Sequence, residues 1–280
     1  MAEAAVAQGW RRRRNWPLRV GATMLGFYAL VAALGPLLPG IDPNAQELLA
    51  VLEPPSRAHW LGTDNIGRDL FARLVVGTRF TLAAALLSVA IAGAIGVTLG
   101  LVAGYAGGRI DAAITGVVDL LLTIPNLILA IAIASVIGAG MTGLVVATTA
   151  SFVPPLARLI RGRVLEIREE DFIKAAIASG TRRARILRRH VLPNAFTVVI
   201  IETSLLAGQA VLVSAALGFI GLGVQPPAPE WGTMLGAGRE FIEVAPHLVV
   251  VPGLAITGLV FAFNMLGDGL RDRLDPNFRN

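Results

Sequence analysis

Five stretches of this 280-residue chain contain no Asp, Glu, Lys or Arg and are long enough to cross a bilayer. They are Val20–Ile41, Phe80–Gly108, Leu120–Leu156 (extending to Ala157), Thr203–Pro229 and Val244–Gly267. A helix needs about 20 apolar residues to span the hydrocarbon core, so the third stretch is too long for one span. Its Gly138-Ala139-Gly140 supplies a turn between two helices. The sequence therefore predicts an all-α polytopic membrane protein with six spans, at about 18–39, 80–106, 112–137, 142–160, 194–223 and 247–267.

Composition excludes most alternatives. Hydrophobic residues make up 55% and charged residues 15%, with a mean hydropathy of +0.68. A soluble protein carries about 25% charged residues, so a soluble enzyme is excluded. No cysteine is present, which removes disulfides, thiolate metal sites and a cysteine nucleophile. The single lysine, Lys174, lies outside any Gly-Lys-Ser/Thr loop, so no standard phosphate-binding loop is available. His59, His190 and His247 are too scattered to predict a metal site.

The pI of about 10.8 would suggest a nucleic-acid partner in a soluble protein. Here topology explains it. If the N-terminus is cytoplasmic, 19 of the 24 Lys and Arg fall in inside segments, including Arg11 to Arg14 and ten residues between Arg158 and Arg189. Both termini are expected inside and no nucleic acid is expected. The first run has 22 uncharged residues, longer than a signal-peptide core of about 7–15, and is read as a retained span. Two units are expected: residues 1–79, with the tail, first span and an external segment, and residues 80–280, with five spans and a cytoplasmic loop at about 161–193.

That loop carries the clearest signal. Asp171 is expected to N-cap a short helix, with Phe172, Ala175 and Ala176 on one face. Gly180 suits its C-terminal stop, and Pro193 marks entry to the next span. Such a helix suits docking in a cleft of another protein, although a solvated basic loop serving only topology fits the pattern equally.

Lys174-Ala175-Ala176, Gly180 and Leu192-Pro193-Asn194 resemble the "EAA" loop of ABC-importer permeases. The chain is further similar to the C-type permeases of dipeptide, oligopeptide and nickel importers. Asp42-Pro43-Asn44, Leu61-Gly62-Thr63-Asp64 with Gly67-Arg68-Asp69, and Gly100 to Tyr105 carry the likeness in order. So do Phe219 to Pro227 with Trp231-Gly232, and Asn264 to Asp272 with Leu274-Asp275-Pro276.

The resemblance implies a type I importer permease in a bacterial or archaeal cytoplasmic membrane. A second homologous permease would share its path, two cytoplasmic ATPases would bind ATP and Mg, and an extracytoplasmic solute-binding protein would deliver cargo. This chain would have no catalytic residue and no cofactor of its own. Its EAA loop would couple to an ATPase. A peptide is the expected cargo, with nickel chelates and glutathione open. Two departures stand out: Lys174 occupies the usual Glu position, and Arg182 and Arg183 add charge beyond Gly180.

Acids within spans are costly, so Asp119 and Glu202 are candidate polar sites, with Gln209 and Ser214 beside them on the fifth span. Asp119 is read as holding helices together. Glu202 either faces the path and senses cationic cargo or snorkels toward the interface. In the resembling family a Glu is common nearer the outer end of this span, where Ser214 stands here. Gly96, Gly100 and Gly104 predict close helix packing, and Pro125 and Pro154-Pro155 are candidate kinks. The rival readings are a proton-coupled secondary transporter using Asp119 and Glu202, and a membrane-anchored enzyme. The first lacks a visible inverted repeat, and the second lacks a convergent acid, base and nucleophile.

Overall fold

The computed structural model describes residues 16–274, and every regular element among them is helical. In chain order these are α1 (Trp16–Leu34), α2 (Leu70–Ala106), α3 (Gly108–Leu122), α4 (Asn126–Ile137) and α5 (Met141–Arg168). They continue as α6 (Asp171–Ala178), α7 (Arg183–Ile186), α8 (Leu192–Phe219), α9 (Trp231–Gly238) and α10 (His247–Leu274). Five helical stretches are long and apolar enough to cross a membrane, and the α3–α4 pair makes a sixth if counted as one span. The motif residues Asp275 and Pro276 and the arginines Arg11 to Arg14 lie outside the described residues.

The third span breaks at the candidate kink Pro125: α3 and α4 are bent by 93° at Thr123–Pro125. Pro125 has no N–H to donate back into α3, and its ring disfavours the helical region for Ile124. Its carbonyl instead starts α4, accepting from Leu129 N at 3.0 Å. The adjacent prolines behave differently, because α5 runs through Pro154-Pro155 without interruption. It also continues eight residues past the expected end of the fourth span.

The α2–α5 pair is the centre of the bundle. A Cβ on Gly96, Gly100 or Gly104 would meet Leu156 Cβ at 3.0 Å, the Ala157 carbonyl at 2.6 Å or Val164 Cβ at 2.8 Å. The expected small-residue stripe is therefore a close contact between parallel helices, which any side chain would force apart. It also places the end of α5 at the far end of α2 from Leu70. Helix α1 lies along α10, where Gly21 faces the Leu266 backbone and Tyr28 donates to the Ala255 carbonyl at 3.3 Å.

Helix α2 begins ten residues before the expected span start. Asp69 caps it by accepting from Ala72 N at 2.8 Å. The preceding segment folds back on this end. Asp64 Oδ1 accepts from Ile66 N and Arg68 N, each at 3.0 Å, and Oδ2 accepts from Arg68 Nε at 2.7 Å. Arg73, inside α2, reaches Asp64 at 3.6 Å and donates to the Pro43 carbonyl at 3.0 Å. The Leu61 to Asp69 motif is thus an ionic knot that seats residues 42–69 on the start of α2.

Candidate functional site

The loop between α5 and α8 contains the expected short helix, α6, but its bonding differs from the sequence reading in two respects. The N-cap is Glu170, without a side-chain cap bond, and Asp171 is the first helical residue. There its charge still favours the positive end of the helix dipole. The inward anchor is Ile173, which is fully buried, while Phe172 and Ala175 are exposed and Ala176 is half-buried. Ile173 packs with Ile160, Val164 and Ile167 of α5, Leu101 of α2 and Ile186 of α7. Ile173 was legible only as the apolar residue three before Ala176.

Helix α6 ends as expected. Gly180 has φ +70°, its N–H donates to the Ile177 carbonyl at 2.9 Å, and Thr181 N donates to the Ala176 carbonyl at 3.1 Å. This is a Schellman motif, whose left-handed position suits glycine. The outer face keeps loose charges: Lys174 lies 4.0 Å from Glu169 and 3.9 Å from Asp171, all exposed. Arg182 and Arg183 start α7, and Leu187–Val191 forms a π-helical turn before Leu192. Pro193 then sits at the start of α8, where its missing N–H costs little.

The intramembrane polar candidates do not converge. Asp119 on α3 pairs with Arg158 on α5, and Asp111, about two turns earlier on the same helix, takes Arg161 by two bonds, 2.5 Å from Nε and 2.7 Å from Nη2. Arg168 adds a bond to the Gly104 carbonyl at 2.8 Å. Asp119 thus bonds across from α3 to α5, to a partner 39 residues away. It shares a small pocket of about 120 Å³ with Arg158, Arg161 and Thr115.

Elsewhere, α2, α8 and α10 leave an open apolar groove of about 740 Å³, whose walls include Val97, Leu101, Phe196 and Phe263. Thr203 and Ser204 also line it, but their hydroxyls bond back to their own helix at 2.7 Å and 2.8 Å. Glu202 is half-buried, makes no hydrogen bond or ion pair among the described residues, and does not line this groove. Gln209 is exposed, and Ser214 is fully buried with no protein partner for its hydroxyl.

Another acid, besides Asp111, escaped the sequence reading. Glu230 is fully buried and caps α9, accepting from Gly232 N and Thr233 N, each at 2.9 Å. It also accepts from Thr233 Oγ1 at 3.0 Å and from Thr81 Oγ1 of α2 at 3.4 Å. Burial pushes its carboxyl up, and these bonds oppose that shift. Trp231 beside it donates to the Leu74 carbonyl at 3.0 Å, so Glu230-Trp231-Gly232 ties the segment before α10 to α2.

Residues 96–280 match the family described as binding-protein-dependent transport system inner membrane component. The dipeptide transport system permease protein DppC of Alkalihalophilus pseudofirmus is 43% identical over 96% of this chain and 88% of its own length. The glutathione transport system permease protein GsiD of Pectobacterium atrosepticum is 41% identical over 97% of this chain and 91% of its own. Among solved structures, a chain from the MetNI methionine ABC transporter in an inward-facing conformation matches with a TM-score of 0.61. It is 23% identical over 72% of this chain and 96% of that chain, a likeness of fold.

Proposed function

This chain belongs to the binding-protein-dependent transport system inner membrane component family, and on that premise we propose that it forms half of the path of an ATP-driven importer of di- or oligopeptides. It is a multi-pass permease subunit of the cytoplasmic membrane, of the ABC importer fold. The observation that carries the cargo is the 43% identity with a dipeptide permease along 96% of this chain. The 41% identity with a glutathione permease stays within the same chemistry, since glutathione is itself a small peptide.

In this reading a second permease completes the path and an extracytoplasmic solute-binding protein selects the cargo. Two ATPases bind ATP and Mg, and one of them holds α6 in a surface groove. Both termini and the α5–α8 loop face the cytoplasm, as the distribution of basic residues favours. Residues 42–69 and α9 then lie on the outer side. ATP-driven closure shifts α6, and the spans move between two arrangements. The exposed Lys174, Arg182 and Arg183 favour an ATPase groove that is acidic or neutral.

The test is to purify the tagged protein in mild detergent from its host, identify the proteins that accompany it, and reconstitute them in vesicles. ATP-dependent uptake of labelled dipeptides, stimulated by the binding protein, is expected. Uptake by this chain alone, without ATP and driven by a proton gradient, would overturn the proposal. Uptake of glutathione but no other peptide would narrow it.

A further inference from the structure

Two ion pairs join the same two helices and are built differently. Arg161 and Asp111 meet through two nitrogens and two oxygens, with side chains 31% and 18% exposed. Arg158 and Asp119 meet through one nitrogen and one oxygen, with side chains 60% and 45% exposed. The arginines are about one helical turn apart on α5, whereas the acids are about two turns, or 12 Å, apart on α3. The arginine side chains must therefore splay, and the outer pair is the one held by a single contact.

The outer pair also sits at the elbow end of its helix. Asp119 is four residues before Thr123, where the chain turns by 93° into α4. Beside the pair lies the pocket of about 120 Å³ lined by Thr115 and both arginines, which leaves room for the guanidinium to swing. On its other side, α5 carries the seat of α6: Ile160, Val164 and Ile167 alternate with Arg158, Arg161 and Arg168 and hold Ile173. A displacement of α6 thus reaches α5 through an apolar seat and reaches α3 through the arginines.

The geometry points to a pivot and a latch: Arg161–Asp111 is the pivot about which the α3–α4 elbow turns, and Arg158–Asp119 is a latch that is closed here and opens when the ATPases close. This rests on the importer reading. One contact ties Arg158 to Asp119, so a single guanidinium rotation opens the latch, whereas the bidentate pair must lose two bonds at once and is suited to staying joined. Asp119 and Arg158 are positioning residues in this scheme, acting on the path through the elbow.

The chain has no cysteine, so a reporter pair is read without background from it. In the reconstituted complex, a D119C/R158C variant should be joined readily, without nucleotide, by a bifunctional thiol reagent about as long as the arginine side chain it replaces, since the two backbones stand farther apart than a direct disulfide needs. Cross-linking should fall by about 5-fold or more when the ATPases are trapped with nucleotide and vanadate, a coupling of ordinary allosteric size. Equal cross-linking in both states would overturn the latch.

Separately, D119N and R158Q should lower peptide moved per ATP hydrolysed by about tenfold while complex assembly is unchanged. The D119R/R158D exchange should restore part of that ratio. An unchanged transport-to-hydrolysis ratio in D119N and R158Q would also overturn it. Failure of the wild-type complex to import peptide with ATP would instead defeat the importer reading itself.

Discussion

The segments at residues 42–69 and 169–191 are both charged connections between spans, yet they are bonded in opposite ways. In the first, Asp64 gathers two backbone N–H groups and two guanidinium groups, and the Arg73 side chain is only 6% exposed. In the second, the ion pairs of Lys174 are long and exposed, and one side chain of α6, Ile173, is buried. Buried charges that lose a partner are costly, whereas exposed pairs are nearly neutral. The first segment is therefore a fixed cap held by charges, and the second is held by apolar side chains, Ile173, Ile186 and Val191, with its charges left exposed.

The largest expected effect is in the cap. Asp64→Asn leaves Arg73 buried without its counter-charge and should cost about 3–5 kcal/mol. Thermal unfolding in detergent measures it, and a wild-type unfolding temperature would mean that the knot is not what holds the cap. Next is Ile173→Ala, which should cost about 2–4 kcal/mol locally. It should raise proteolysis at α6 without changing proteolysis at residues 42–69; equal change at both would erase the contrast between the two segments.

A smaller effect is expected at Gly180→Val, where a β-branched residue at φ +70° pays about 1–2 kcal/mol of strain. ATP hydrolysis should separate from transport while membrane insertion stays normal. Normal transport by this variant would count against α6 as the coupling element.

The smallest effect is a pH dependence confined to the cap. His59 Nδ1 bonds Asp69 Oδ2 at 2.9 Å, and its Nε2 lies 3.4 Å from Glu47. The bond to Asp69, aided by the nearby negative charges and opposed by burial, holds the imidazole above its ordinary value. A raised folded pKa stabilises the cap fully below the ordinary histidine pKa of about 6.5, and that contribution fades as pH rises through the folded value. Protease resistance of residues 42–69 should therefore decline on going from about pH 6 to pH 9, and His59→Gln should flatten the profile. A slope that persists in His59→Gln would assign it elsewhere.

The spans themselves were legible because lipid burial is decided by each segment's own composition. The charge-free runs, the Gly138–Gly140 turn and the Gly180 stop all appear where local chemistry requires them. The start of α2 was not legible, because Arg73 and Arg79 interrupt hydropathy without interrupting a helix. The 93° break was legible as a proline and not as an angle, since Pro154-Pro155 in α5 produce no interruption at all. The sequence also showed that α6 was amphipathic, but Asp171 was assigned the cap that Glu170 holds, and Ile173 went unnamed as its anchor.

By itself, then, the sequence determined a helical membrane permease with a projecting short helix and a strong basic bias between spans. Only the tertiary structure decided that Asp119 belongs to Arg158, that Glu230 reaches Thr81 across 149 residues, and that Asp64 seats a whole segment on α2. Partition into lipid depends on neighbours along the chain, so composition encodes it. Pairing between charges depends on which helices pack and how closely, and that is set by contacts such as Gly100 against Ala157, far apart in sequence.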